Sequence, residues 1–263
     1  MPDLLAVPQA DTPQHSKTDM TADTIAINQK MDQFDGHHSV WLFGYGSLIY
    51  KADFPYLQRR PASIANWTRR FWQGSHDHRG TPDAPGRVVT LIAAPGAICH
   101  GMAYLITPEV FAHLDHREKD GYLRRATPIS FEDQQADAGV GDVRVGDMRV
   151  GDVRVGDMRM GDVRVGDNVV GAAGNVSAGE AAVEAGSVLG LVYIATPDNL
   201  AFIGEASERD IAEHIARSAG PSGPNSDYLN HLAHALRELG RDDPHVFEIE
   251  RHLVELASRM ART

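Results

Sequence analysis

A short apolar run that ends in two closely spaced glycines constrains this chain more than any other stretch. Residues 40–43 (VWLF) have the apolar character of a buried strand, and Gly44-Tyr45-Gly46-Ser47 follows directly. Glycine allows a sharp turn because it has no Cβ, and successive N–H groups in such a turn form a concavity for an anion. The stretch predicts a strand followed by a candidate seat for a carboxylate or phosphate. Taken alone, a Gly-rich turn without a ligand is the better explanation, since a lone G-x-G motif is weak evidence.

Size, charge and cysteine content restrict the class of protein. The 263 residues are 42% hydrophobic, enough for one sizeable core. The net charge of −11 and the lack of a Lys/Arg cluster argue against nucleic acid as a partner. One cysteine, Cys99, excludes an intrachain disulfide and a Cys-rich zinc site, and it fits a reducing compartment. We expect a cytoplasmic protein without a secretory signal or a bilayer-spanning run. The sequence leaves the oligomeric state open.

Hydrophobic periodicity and turn residues predict alternating strands and helices in the body of the chain. Strands are predicted at residues 63–73, 87–93, 99–106, 125–131 and 187–195, with a bulge at Gly101. A helix is predicted from Thr107 or Pro108, with Val110, Phe111 and Leu114 on its apolar face. The C-terminal part is helical, with a capping box at Ser207, a cap at Asn225 and a last helix at 244–260.

Composition shifts predict the domain boundaries. Residues 1–38 are polar and are expected to be a mobile tail, except for a short helix within 22–34. The apolar face of that helix is predicted from Ile25, Ile27, Met31 and Phe34. Residues 39–263 are expected to form one domain, interrupted by an insertion at 136–186.

The insertion contains a Gly-Asp pair at every fifth residue from Gly141 to Gly166. An odd period moves each side chain to the other face of an extended strand at every repeat, so a regular solenoid is not expected. The Arg in most units argues against a Ca²⁺ site. We expect a flexible loop between two strands, which a fold tolerates because loop-closure entropy grows slowly with length.

Four stretches, the last of them in two parts, together resemble one family in the order in which they stand in the chain. They are FGYGSLI at 43–49, RRFWQGSHDHRGTPDAPGRVVTL at 69–91, LDHREKDGY at 114–122, and YIATPDN with AGPSGPNSDYL at 193–199 and 219–229. Together they resemble the ChaC family, the glutathione-specific γ-glutamylcyclotransferases, over residues 40–132 and from 187 to near the C-terminus. The sequence departs from the usual pattern at His76, His100 and Asp120, and in the repeat insertion.

The resemblance implies a fold and a reaction. The fold would be α+β, a mixed sheet curling into a small barrel with flanking C-terminal helices. The substrate would be glutathione, whose α-amino group attacks its own γ-carbonyl and releases 5-oxoproline and cysteinylglycine, without a cofactor or a metal. Two alternatives remain open: cyclotransfer on other γ-glutamyl peptides or amines, and a non-catalytic module that binds a γ-glutamyl ligand.

The same resemblance implies that Glu118 is the catalytic base. A free Glu has a pKa of about 4.3, so partial burial would have to raise it before the carboxylate became an effective base. Without the resemblance, a surface ion pair with Arg117, Lys119 or Arg87 would be the better explanation of this residue.

The glycine loop is the predicted substrate-binding element, because its N–H groups can hold a carboxylate or an oxyanion. The residues assigned to it are Leu42, Phe43, Gly44, Tyr45, Gly46, Ser47 and Leu48. Second-line candidates are Tyr122, Glu109 and Arg79, the last as a partner for the glycine carboxylate of glutathione.

Three other groups of residues have simpler explanations. The spacing of His76, Asp77 and His78 with His113 and His116 fits no metal signature. Cys99 lies in an apolar strand pattern that favours packing over a nucleophilic role. The aromatic residues Trp67, Phe71 and Trp72 are expected in the core.

Overall fold

The structure is a computed structural model, and it describes residues 24–31, 37–131 and 187–262. The larger elements in chain order are α1 (Ile25–Lys30), β1 (Val40–Gly44), β2 (Gln58–Ser75), β3 (Gly86–Ile106), α2 (Val110–Arg117), β4 (Tyr122–Phe131), β5 (Ser187–Ala195), α3 (Glu208–Arg217), α4 (Asn225–Glu238) and α5 (Pro244–Met260). A 3₁₀ turn covers Ser47–Ile49, and Ala219–Gly220 pairs with Gly223–Pro224 in a small hairpin. Among the described residues, no helix is both long and apolar enough to span a membrane.

Five strands close into a barrel in the order β1-β3-β2-β4-β5. Neighbouring strands are antiparallel except where β1 meets β5, and that parallel pairing of Leu42 with Leu191 and Phe43 with Val192 closes the barrel. The prediction of an α+β fold with a mixed-sheet barrel and C-terminal helices is confirmed.

The strand β1 is buried on both faces. Leu42 packs with α2 residues in one apolar cluster, whereas Phe43 packs with residues of α3, α4 and α5 in another. Alternate side chains of a strand point to opposite faces, so the continuous apolar run is what a strand between two cores requires. This packing accounts for the VWLF pattern.

The pair β2 and β3 differs from the prediction. Residues 87–93 and 99–106 were expected to form two strands, but they belong to the single strand β3, and β2 extends beyond 63–73. The chain continues through Pro95 and Gly96 because β2 bulges at Asn66, which has φ +67° and accepts a hydrogen bond from the Gly96 amide at 2.9 Å. The bulge predicted at Gly101 is wrong, because Gly101 pairs in register with Ala62.

The helix α1 is shorter than predicted, and its buried face is polar. Ile27 is 49% exposed, while Thr24 and Asn28 are buried. The prediction that Ile27 belongs to a buried apolar face is therefore wrong. Phe34 lies outside the described residues. Most of the predicted tail (1–38) and the whole insertion (136–186) also lie outside them, so those boundaries stay predictions. The strands that flank the insertion pair in register from Tyr122–Ala195 to Ser130–Ser187.

The C-terminal helices begin largely as predicted. The Ser207 side chain accepts a hydrogen bond from the Asp210 amide and caps α3. Asn225 does begin α4, but it does not act as the predicted cap. Its buried amide instead accepts a bond from the Arg87 N–H (2.7 Å) and donates one to the Arg87 carbonyl (2.8 Å), which ties α4 to β3.

Replacing Asn225 should test this tie. In Asn225→Ala, the Arg87 N–H and C=O would be buried without a partner, and each such group costs about 1–3 kcal/mol. We expect the free energy of unfolding, measured in urea, to fall by at least the cost of one such group, about 1–3 kcal/mol. Asn230, an exposed asparagine of the same helix, is the matched control, and Asn230→Ala should leave stability nearly unchanged. Equal stability of the two variants would contradict the assignment.

Candidate active site

A cavity of about 380 Å³ opens at the end of β1. Its wall is formed by the glycine loop, the C-terminal end of α2, the start of β4 and the segment that follows β2. A volume of this size holds a small ligand. The predicted site residues that line it are Phe43, Gly44, Tyr45, Gly46, Ser47, Leu48, Arg79, Glu118 and Tyr122.

Two predicted residues do not line the cavity. Leu42 is fully buried in the apolar cluster around α2. Glu109 is exposed at the N-terminal end of α2, at the opposite end of that helix from Glu118. Side-chain alternation excludes Leu42, because its neighbour Phe43 faces the other side of the strand.

The glycine loop is held from behind by a buried guanidinium. Arg69 on β2 donates to the carbonyl oxygens of Tyr45 and His100, both at 2.6 Å, and forms an ion pair with Asp243 at the start of α5. The Tyr45 hydroxyl donates to the Tyr193 carbonyl at 2.8 Å, so it braces the loop against β5. A 3₁₀ turn then begins at Ser47, and the first N–H groups of such a turn have no partner within it.

The turn requires glycine because the wall of the cavity is crowded there. A Cβ on Gly46 would lie 2.9 Å from both the Tyr228 hydroxyl and a Val89 methyl carbon. Real Cβ atoms essentially never approach other atoms so closely, so a side chain at this position would force the wall apart.

The carboxyl group of Glu118 lies in the wall of the cavity. Glu118 caps the C-terminal end of α2, and only 16% of its side chain is exposed. Burial raises the pKa of Glu118 above its ordinary value, and the negative charges of Asp53 and Asp77 raise it further, while Arg117 opposes the shift. Its carboxylate is therefore more basic than that of an exposed Glu.

Arg117 joins Glu118 to the glycine loop. Its Nε lies 3.3 Å from Oε1 of Glu118, and its Nη2 donates to the Ser47 hydroxyl at 2.8 Å. A second ion pair with Asp53 and a bond to the Lys51 carbonyl hold the guanidinium in place. The ion pair expected as the alternative role of Glu118 does form, but it lies in the cavity wall.

Several cavity residues were not assigned to the site from the sequence. They are Tyr50, Asp53, Asp77, Arg117, Asp120 and Tyr228. They come from four separate segments. Three of these lie in motifs quoted above, which contain Asp77 (69–91), Arg117 and Asp120 (114–122), and Tyr228 (219–229). Burial raises the pKa of Tyr228 far above its ordinary value, so its hydroxyl stays neutral.

The remaining candidates have internal partners. The Tyr122 hydroxyl donates to the Val89 carbonyl at 2.9 Å. Arg79 donates to the Pro224 carbonyl at 3.0 Å, which anchors it beside the hairpin strand Gly223–Pro224.

The described histidines and the cysteine do not form a metal site. His78, His113 and His116 line the cavity, but across the described ranges no group of three His, Cys, Asp or Glu side chains is arranged to hold a metal ion. Cys99 is buried in β3, as predicted.

A family sequence profile described as "ChaC-like protein" matches residues 40–256. The chain belongs to the ChaC-like family. It is 37% identical over 228 residues to "Gamma-glutamylcyclotransferase 2-3" of Arabidopsis thaliana, covering 84% of this chain and 91% of that protein. It is 34% identical over 227 residues to "Glutathione-specific gamma-glutamylcyclotransferase 1" of Danio rerio, covering 83% and 91%.

A solved structure has the same fold. It is the crystal structure of a yeast γ-glutamylcyclotransferase specific to glutathione, with a TM-score of 0.61 and 27% identity, covering 83% of this chain and 96% of that one. The resemblance found in the four motifs is thus confirmed over the matched length.

The raised pKa of Asp120 predicts that the stability of this ChaC-like chain depends on pH. Burial raises its pKa from 3.8 to about 6, helped by a hydrogen bond with Asp77 and the charges of Asp77 and Glu118, while Lys119 opposes the shift. Because the native state then holds a proton that the unfolded state has lost, stability should fall as pH rises from about 4 to about 6.

Asp120→Asn should remove the contribution of Asp120 to this dependence. We expect the variant to become more stable than the parent across that window by on the order of 1 kcal/mol, allowing for solvent screening. Urea unfolding at pH 4, 5, 6 and 7 measures the difference. A constant difference between the two proteins at every pH would contradict the assignment.

Proposed function

We propose that this chain is a glutathione-specific γ-glutamylcyclotransferase, which converts glutathione to 5-oxoproline and cysteinylglycine. The names of its relatives support this substrate and reaction. The observation that carries the proposal is the position of Glu118: its carboxyl group is largely buried, lies in the cavity that the glycine loop lines, and is joined to that loop through Arg117.

Glu118 is assigned the proton transfers. The α-ammonium of the substrate must lose a proton before its nitrogen can attack, and a carboxylate with a raised pKa is suited to accept it. The nitrogen then forms a bond to the γ-carbonyl carbon. As the bond from that carbon to the cysteine nitrogen breaks, the protonated carboxyl gives its proton to the leaving amine. The regenerated carboxylate then takes the second proton from the ring nitrogen, which leaves 5-oxoproline as a neutral amide, and passes it to the released amine, which departs as an ammonium. No water molecule or cofactor enters this balance.

The glycine loop is assigned the binding of the γ-glutamyl end. N–H groups at the start of the 3₁₀ turn, from Gly46 to Leu48, can hold the α-carboxylate or the oxyanion that forms on the γ-carbonyl. Holding the amine against the γ-carbon also raises the rate, because well-oriented intramolecular attack reaches effective molarities of about 10⁵–10⁸ M. Arg79, which also lines the cavity, is assigned to the glycine carboxylate of the substrate.

The compartment is part of the proposal. The lone cysteine, Cys99, is a buried free thiol, which agrees with a reducing cytoplasm.

Glu118→Gln tests the assignment of the base. The amide keeps the shape of the side chain but cannot accept the proton, so kcat for glutathione should fall by about 10²–10⁴. Release of 5-oxoproline from the purified parent and variant measures this. Glu109→Gln, at the exposed end of the same helix, should keep the parent rate. A Glu118→Gln protein as fast as the parent would remove the basis for the assignment.

Substrate choice separates the proposal from its alternatives. We expect kcat/KM for glutathione to exceed that for γ-glutamyl-alanine, because the longer peptide reaches from the glycine loop toward Arg79. Both substrates are assayed for 5-oxoproline under the same conditions. Equal values would favour a general γ-glutamylcyclotransferase, and glutathione binding without turnover would favour a non-catalytic module.

A further inference from the structure

The N-terminal helix α1 contacts the backbone of the segment that carries Glu118. The Thr24 amide donates to the Lys119 carbonyl at 3.2 Å, and the Thr24 hydroxyl lies 2.8 Å from that oxygen and 3.3 Å from the Glu118 carbonyl. Thr24 occupies the N-cap position of α1, where a Thr hydroxyl ordinarily accepts a bond from its own helix, but it makes no such bond. Its hydroxyl instead donates to the backbone carbonyl groups of Glu118 and Lys119.

Asn28 makes a second contact one helical turn later. Its side chain donates to the Tyr122 carbonyl at 3.0 Å and accepts a bond from the Arg124 N–H at 3.0 Å. Asn28 is fully buried, so its amide depends on these partners. It completes the hydrogen bonding of the first residues of β4.

These contacts hold both ends of the segment 118–124. Thr24 fixes its start and Asn28 its end, while Glu118, Asp120 and Tyr122 between them line the cavity. The contacts reach the backbone, so they constrain the position of the Glu118 side chain without touching it.

The buried residues of α1 agree with a helix that is bound to the segment 118–124 by hydrogen bonds. A helix of six residues is marginal in water by itself, and the buried residues at its start are Thr24 and Asn28 rather than an apolar stripe. Burying polar groups is unfavourable unless they are hydrogen-bonded, so the hydrogen bonds with 118–124 stabilise the position of α1. The helix also lies before residue 40, where the family match begins.

We propose that Thr24 and Asn28 are positioning residues that hold Glu118 in its catalytic geometry. The proposal rests on the proposed function, because it assigns Glu118 to the proton transfers. It places a requirement for activity in the N-terminal extension of this chain, outside the matched region. A misplacement of a catalytic group by about 1 Å can cost about 10²-fold in rate, so a loosened segment should lower kcat.

The test compares variants of the full chain in the glutathione assay. We expect kcat to fall about tenfold in Thr24→Val and in Asn28→Ala, with KM unchanged, because substrate binding by the glycine loop is not affected. Thr24→Val keeps the shape of the side chain and the hydrogen bond from the backbone N–H of residue 24 to the Lys119 carbonyl, so we expect the variant to fold. Thr24→Ser keeps the hydroxyl and should recover the parent kcat. The half-exposed neighbour is the control: Ile27→Ala should match the parent.

Amide hydrogen exchange gives a readout that does not depend on turnover. The Glu118 amide donates to the Leu114 carbonyl of α2 at 2.8 Å, and the Gly121 amide donates to the Lys119 carbonyl within the segment at 3.0 Å. Their exchange should become faster in Thr24→Val and Asn28→Ala, and not in Ile27→Ala.

The outcomes separate the two proposals. If the parent releases no 5-oxoproline from glutathione, the proposed function fails. If the parent is active and Thr24→Val and Asn28→Ala keep its kcat, or raise KM alone, the positioning role is wrong. Unchanged exchange at Glu118 and Gly121 would likewise overturn it.

Discussion

The two-sided burial of β1 is the constraint on which the rest of the structure depends. This strand pairs with β3 on one side and β5 on the other, and its alternate side chains Leu42 and Phe43 enter different apolar clusters. A strand so enclosed cannot shift by one residue without moving every side chain to the wrong face. The end of β1 is therefore a fixed point, and the glycine loop begins there.

Two arginines hold the glycine loop in place at the end of this strand. Arg69 holds the loop from behind through the Tyr45 carbonyl, and its ion pair with Asp243 ties the loop to α5. Arg117 reaches from α2 to Ser47 and to Glu118. Buried guanidinium groups suit this work because their donors form a rigid fork that holds several acceptors at once. The loop and the helix end that carries the proposed base are thus joined by contacts between elements that are distant in sequence.

Local pattern predicted the elements well and buried polar contacts poorly. The apolar stripe of α2, the cap at Ser207 and the strand β5 follow from side-chain periodicity and local hydrogen bonding, which neighbouring residues specify. The error at α1 has a physical reason: Thr24 and Asn28 are buried through bonds to a segment more than 90 residues away. No local rule distinguishes such residues from polar residues in solvent.

The sequence by itself determined the strand–loop pattern, the order of the elements and, through four motifs, the family. It also pointed to Glu118, because that residue stands in a recognisable motif. Only the tertiary structure decided that its carboxyl group is enclosed, that Arg117 and not Glu109 shares its cavity, and that Leu42 faces away. The physical reason is that burial and charge proximity, which set the pKa of a carboxyl group, arise from segments that meet only when the barrel closes.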